Sequence, residues 1–205
     1  MSKIDENKQQ KLESLFISAY ELFLKQGIER TTISEIAKHA GVAKGTFYLY
    51  FEDKYQIRDR LLARVAGKLF QDALDHMTQE KIPDFEDRIL YLVDYILTFM
   101  RENKPILRFI SKNLSWGIFR HALTMQEPDT DKPTVEKLCT QLLASEKVHL
   151  RAPETMLFLI IELASSSSFS TILENDPMSF EELKPFLYQS IRAIIRNHII
   201  PSDSN

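Results

Sequence analysis

The stretch LFISAYELFLKQGIERTTISEIAKHAGVAKGTFYLYFEDKYQIRDRLL, residues 15–62, decides how this chain folds. Its apolar residues recur at helical spacing. Leu12, Leu15, Phe16, Ala19, Leu22 and Phe23 make one stripe of a helix running from about Lys8 to Gln26. Gly27 follows the stripe's last residue, where glycine adopts a left-handed terminal conformation at least cost. Thr32, with Glu35 three residues on, reads as a capping box opening a short helix whose Ile33, Ile36 and Ala37 face inward. Gly41-Val42 breaks that helix: Gly41 supplies the dihedral of a tight turn and Val42 anchors it in the core. A third helix is predicted from about Ala43 to Tyr50, pinned from behind by Phe47, Leu49 and Phe51, with Tyr48 and Tyr50 out of phase. Phe51 and Asp53 lead into a long fourth helix carrying Ile57, Leu61, Leu62, Val65 and Leu69 on one face.

Helix, short helix, glycine turn, short helix is the arrangement that holds a narrow rod at a fixed angle, as entry into a DNA major groove requires. The rod offers Ala43, Lys44, Gly45, Thr46, Tyr48 and Tyr50, which are small or polar. Gly45 inside a helix costs about 1 kcal/mol relative to alanine, and close approach of the backbone to DNA is a reason to keep it. Charge gives modest support. The chain of 205 residues has a formal net charge of -3, so it is no polycation. Residues 1–60 hold ten Lys or Arg against nine Asp or Glu, and the remainder sixteen against twenty.

At these residues the segment resembles the N-terminal domain of the TetR/AcrR family of bacterial transcription regulators. The resemblance covers roughly fifty residues in unbroken register. It is carried by Gly27, Thr31-Thr32, Ile36-Ala37, Ala40-Gly41-Val42, Lys44-Gly45-Thr46, Tyr48, Tyr50-Phe51 and Lys54. The family commonly has serine where this chain has Ala43. The resemblance implies that Thr32, Tyr48, Tyr50 and Lys54 contact phosphates, while Lys44, Thr46, Ala43 and Gly45 face bases. Phosphate contacts position such a protein and base contacts specify its site.

The rest of the chain is read as helical too, making the fold all-α: a three-helix DNA-binding head, residues 1–53, and a helical ligand-binding and dimerisation domain, residues 54–205. Pro83 separates the part that carries the first four helices from the rest of the chain, and Asp84 caps a helix to about Asn103 that is apolar on most sides and therefore central. Further helices are predicted from Pro105 to Ser111, Trp116 to Met125, Pro133 to Glu146, Pro153 to about Glu174 and Phe180 to Ile199, with residues 126–132 as a loop. The run Ser165-Ser166-Ser167-Ser168 reads as a helix interior that lets a neighbouring helix approach closely, with a flexible linker as the alternative. The stripe Leu183, Leu187, Ile191, Ile194 and His198, with Ser165 and Ser168, forms a surface for pairing with a second copy across a two-fold axis. The alternative is internal packing.

A candidate ligand pocket gathers Tyr91, Tyr95, Phe99, Phe109, Trp116, Phe119, Met125 and Phe158. Such a set is more often plain core than cavity, and the resemblance raises the odds of a cavity. Glu162, inside LFLIIELA, needs a cationic partner or ligand if buried. Arg108, Lys112 and His121 equally favour an anionic ligand.

Enzyme chemistry finds no constellation. His39, His76, His121, His149 and His198 are scattered, and no glycine-rich phosphate loop occurs. No catalytic residue, metal ligand or cofactor is expected. Cys139, the single cysteine, fits a reducing compartment. The polar N-terminus and the brevity of the apolar run Met156 to Ile161 suggest a soluble, cytoplasmic protein with no membrane partner. The expected partners are a palindromic double-stranded operator, a second copy of the chain and a small-molecule effector. The resulting expectation is a ligand-responsive regulator, a repressor that leaves its operator when the effector binds. The rival is a helical adaptor without DNA binding, which intact Lys44, Thr46, Tyr48 and Lys54 argue against.

Overall fold

Apolar stripes at three-to-four spacing and a scarcity of glycine leave this chain little choice but helices, and the computed structural model bears that out. It describes residues 3–111, 142–143 and 148–201. The described elements are α1 (Lys3–Gln26), α2 (Ile33–His39), α3 (Lys44–Phe47), α4 (Lys54–Glu80), α5 (Phe85–Glu102), α6 (Lys104–Ser111), β1 (His149–Leu150), α7 (Pro153–Leu173), α8 (Phe180–His198) and β2 (Ile199–Ile200). The expected helices from Trp116 to Met125 and Pro133 to Glu146 lie outside the described residues, apart from Leu142 and Leu143.

The chain divides into two compact units, residues 1–64 and 65–205. In the first, α1 packs on α2 and α2 on α3. Its core is Leu15, Phe16, Ala19 and Phe23 of α1, Ile36 and Ala37 of α2, then Phe47, Phe51, Ile57 and Leu62. Burying each large side chain is worth about 1.5–3 kcal/mol. The Asp53 carboxylate accepts from the N–H groups of Tyr55 and Gln56, both at 2.8 Å, and so starts α4.

In the second unit α5 packs against α6, α7 and α8, and α7 lies along α8. Asp84 caps α5 as expected, accepting from Asp87 N–H at 3.0 Å. The core draws Phe85, Ile89, Leu92 and Met100 from α5, Leu107, Phe109 and Ile110 from α6, Met156, Ile160 and Ile172 from α7, and Leu187, Ile191 and Ile195 from α8. The serine run is interior to α7, not a linker: Ser167 Oγ donates to Leu163 O at 2.6 Å and Ser168 is buried. Among the described residues α7 is the one helix long and apolar enough, by length and composition, to cross a membrane. The apolar run Met156 to Ile161 stops at Glu162, but the helix that carries it continues through that charge to Leu173.

The last helix stops at His198 instead of continuing through Ile199. Pro201 disfavours a helical conformation for the residue before it, and Ile199–Ile200 pair antiparallel with His149–Leu150. This short pair is the described residues' departure from a purely helical fold.

Candidate nucleic-acid interface

The short helices of the first unit are set by local chemistry. Gly27 takes φ +81° and its N–H reaches Phe23 O at 3.0 Å, ending α1. Thr31 is fully buried and locks the following loop by donating from Oγ1 to Gly27 O at 2.8 Å. The capping box at α2 is present in both directions. Thr32 Oγ1 accepts from Glu35 N–H at 3.2 Å, and Glu35 Oε2 accepts from Thr32 N–H at 2.8 Å. The bonds that Glu35 Oε2 accepts from the Thr32 backbone N–H and, also at 2.8 Å, from the Thr32 hydroxyl hold the Glu35 carboxyl below its ordinary value.

Gly41, at φ +68°, closes α2. Val42 N–H reaches back to Ala37 O at 2.9 Å and Gly41 N–H to Lys38 O at 3.2 Å, the paired bonds of a Schellman termination. This turn aims α3. Ala43 is its N-cap and has no side chain to satisfy the free N–H groups. The regular helix covers Lys44–Phe47, and the chain then tightens: Leu49 N–H bonds to Thr46 O at 3.2 Å and Tyr50 N–H to Phe47 O at 3.0 Å. The helix predicted to Tyr50 is thus one helical turn followed by tighter turns. The cluster Phe47, Tyr48, Leu49, Tyr50 and Phe51 is poor in helix formers.

Phe47 and Phe51 hold this rod from behind, their rings 5.4 Å apart, with Phe16 of α1 edge-on to Phe51 at 5.2 Å. The Arg60 guanidinium lies 5.1 Å over the rings of both Phe16 and Phe51. Arg64 sits 3.8 Å over Phe16 and pairs with Glu13 at 2.8 Å. Outward stand Ala43, Lys44 and Gly45, all exposed, with Thr46 half-buried and Tyr48 52% exposed. A Cβ built on Gly45 meets nothing within 4 Å, so nothing inside the chain requires glycine there.

Three expectations need correction. Leu49 does not pin the rod; it is 79% exposed. The expectation alternated Phe47, Leu49 and Phe51, which is strand spacing. On a helix, Phe47 and Phe51 share a face and Leu49 lies opposite. Helical periodicity applied through these residues would have found it. Lys54 does not offer its ammonium outward. Nζ donates to Ile28 O at 2.9 Å, Glu29 O at 3.1 Å and Thr31 O at 3.3 Å, which occupies its three protons on the loop ending α1. Tyr50 is half-buried, and its hydroxyl donates to Lys8 O at 3.2 Å. Thr32 is exposed, with its hydroxyl engaged in the capping box.

In the second unit Tyr91, Tyr95 and Phe99 line a cleft of about 280 Å³ along one face of α5, together with Asp94, Thr98 and Glu102. His76 lies against Tyr95 at 5.2 Å. Asp94 pairs with Lys184 at 2.6 Å and accepts from the Tyr188 hydroxyl. Burial, and then this carboxylate, push Tyr188 far above its ordinary value. Of the other expected lining residues, Phe109, Phe158 and Glu162 are not among those that line this cleft. Phe109 is spent in the core and Phe158 stands on the outside of α7. Glu162 is half-buried on α7. Trp116, Phe119 and Met125 lie outside the described residues.

The expected pairing surface is also redrawn. Ser168, Leu187 and Ile191 are buried within the unit itself, so α7 and α8 consume them in packing against each other and α5. Ser165, Leu183, Ile194 and His198 are half-buried, with His198 Nδ1 donating to Ile194 O at 2.8 Å. What α7 and α8 leave outside includes Leu159 at 40% and Phe186 at 65% exposure, beside Ser166 and Ala193.

Residues 17–61 match the sequence model of "Bacterial regulatory proteins, tetR family". The transcriptional repressor BepR of Brucella suis is 38% identical over 52 residues, 25% of either chain. The chain spans between 25% and 65% of the length of the first curated relatives it matches. A tetR-family transcription regulator from Shewanella shares the fold with a TM-score of 0.62 at 18% identity, over 93% of this chain and 99% of that one. The regulator FadR of Bacillus subtilis, solved in complex with stearoyl-CoA, gives 0.61 at 15% identity over 88% and 97%.

Proposed function

Since residues 17–61 belong to the tetR family of bacterial regulatory proteins, we propose that the whole chain is a ligand-responsive transcriptional repressor. It binds a palindromic operator as a homodimer in the cytoplasm and releases it when a small molecule occupies the second unit. The observation that carries this reading is the single-turn rod Lys44–Phe47: Phe47 and Phe51 anchor one side, while Ala43, Lys44, Gly45 and Tyr48 are presented on the other. A major groove admits such an element. Lys44, Gly45, Thr46 and Ala43 face bases, and Tyr48 and the exposed Thr32 lie toward phosphates. Tyr50 and Lys54 serve by fixing the rod's frame, as their bonds to the chain's own carbonyls support.

Repression is favoured by the relationship to BepR, named a repressor. An effector is favoured by the FadR fold neighbour bound to stearoyl-CoA. The cleft of Tyr91, Tyr95 and Phe99 is the proposed starting point for locating the effector in this chain. The two copies pair through the faces of α7 and α8 left exposed, because Phe186 and Leu159 are too apolar to leave to water. An effector shifts the equilibrium only if it prefers the arrangement that fits DNA poorly.

The test is titration of the intact protein with duplex from upstream of its own gene. Expected are saturable binding, steep weakening with salt as phosphate counterions are displaced, and a loss of about 1–3 kcal/mol for Lys44→Ala if it grips a guanine. Retention of no duplex sequence at all defeats the reading.

A further inference from the structure

Among the residues of the head whose burial is described, Leu49 is the most exposed large apolar one, at 79%. Its place on the rod is specific. Phe47 and Phe51, four apart, form the buried face; Gly45 and Leu49, also four apart, lie two residues out of phase with them, opposite that face. Leu49 lies in the tighter turn that follows the helix, its N–H bonded to Thr46 O at 3.2 Å. Gly45, four residues before it, has no side chain, and a Cβ there would meet nothing within 4 Å, the Leu49 side chain included. The isobutyl group is left to solvent on the same short stretch as exposed Lys44, Gly45 and Tyr48.

We propose that Leu49 is a specificity-determining residue that packs on a thymine 5-methyl group in the major groove. This inference rests on the DNA-binding reading above. An apolar side chain on a groove-facing surface finds one apolar feature among the base edges, the thymine methyl. The polar base-edge groups there are hydrogen-bond donors and acceptors, and desolvating one against leucine is unfavourable. The glycine and the leucine act together: Gly45 lets the backbone come close, and that approach brings Leu49 to the base edge. Lys44 then supplies polar readout at the neighbouring position.

The experiment uses the full-length protein and a duplex selected by it from a random library. Each thymine of a half-site is replaced in turn by deoxyuridine, which pairs identically but lacks the methyl. Wild-type affinity is expected to fall about fourfold at one or two positions, the magnitude of one buried methyl. Leu49→Ala is expected to weaken binding of the thymine duplex and to lose discrimination between thymine and deoxyuridine at those positions. Its thermal unfolding should match wild type, because so exposed a side chain contributes little to the core. If the selected duplex binds but no deoxyuridine substitution matters, or wild type and Leu49→Ala respond to it equally, the leucine–methyl contact is wrong while DNA binding stands. If no duplex is selected, both fall.

Discussion

Gly45 and Lys54 show how differently two residues of one motif are employed. Glycine at position 45 has no steric cause within the chain, so its cost in helix stability, about 1 kcal/mol against alanine, is offset by something outside it. Gly45→Ala is therefore expected to raise the unfolding free energy by up to about 1 kcal/mol while weakening operator binding at least tenfold. Urea denaturation and fluorescence anisotropy read the two effects separately; an alanine that leaves affinity unchanged would mean the backbone does not approach DNA. Lys54 is the reverse case. Its ammonium gathers three carbonyls of the segment from Ile28 to Thr31. Lys54→Met leaves those acceptors short of a charged donor and is expected to destabilise the protein by about 2 kcal/mol. Because only indirect effects on DNA contact follow, the salt dependence of binding should keep its slope, whereas loss of a phosphate contact would lower it by about one.

At the scale of elements, the α5–α8 contact is fastened by Glu86, whose carboxylate accepts from Arg196 Nε at 2.9 Å and Arg192 at 3.2 Å. Arg192 also pairs with Asp87 at 2.6 Å. The bond from Arg196, then that from Arg192, holds the Glu86 carboxyl below its ordinary value against the opposing effect of burial. A folded-state value below the unfolded one stabilises the protein above the unfolded value, near pH 4.3, and that contribution is lost as pH falls through the folded value. Glu86→Gln is expected to cost about 1–2 kcal/mol at pH 7, with wild type and variant converging as pH falls through the lowered folded-state value. Denaturant midpoints measured across that range decide it; a constant difference would remove the carboxylate's charge as the cause.

For the molecule as a whole, α7 has a largely apolar surface of which the chain's own packing covers only part. Leu159 lies on what remains, and Phe186 stands exposed on α8. Phe186→Arg is expected to convert a dimer to monomer at micromolar concentration with little loss of secondary structure, as light scattering and circular dichroism would report. The wild type running as a monomer would overturn the pairing surface. A monomeric Phe186→Arg should also bind a palindrome much more weakly than wild type, because the link between its two half-site contacts is gone.

The amino-acid sequence on its own determined whatever is governed by neighbours along the chain. Gly27 and Gly41 take positive φ, Thr32 and Glu35 form their box, and Asp84 opens α5, because each depends on backbone groups within a few residues. The head's family resemblance has the same origin, since spacing in an unbroken segment survives in the letters. Tertiary structure alone decided which sides of the helices face protein. Ser168, Leu187 and Ile191 belong to the internal seam of α7 and α8, Phe109 to the buried residues of the second unit, and Lys54 to the chain's own carbonyls. An apolar stripe states that it must be covered but not by what, and a lysine's reach of several bonds lets it find partners some two dozen residues away. Burial is a property of what lies across from a residue, and only the folded chain says what that is.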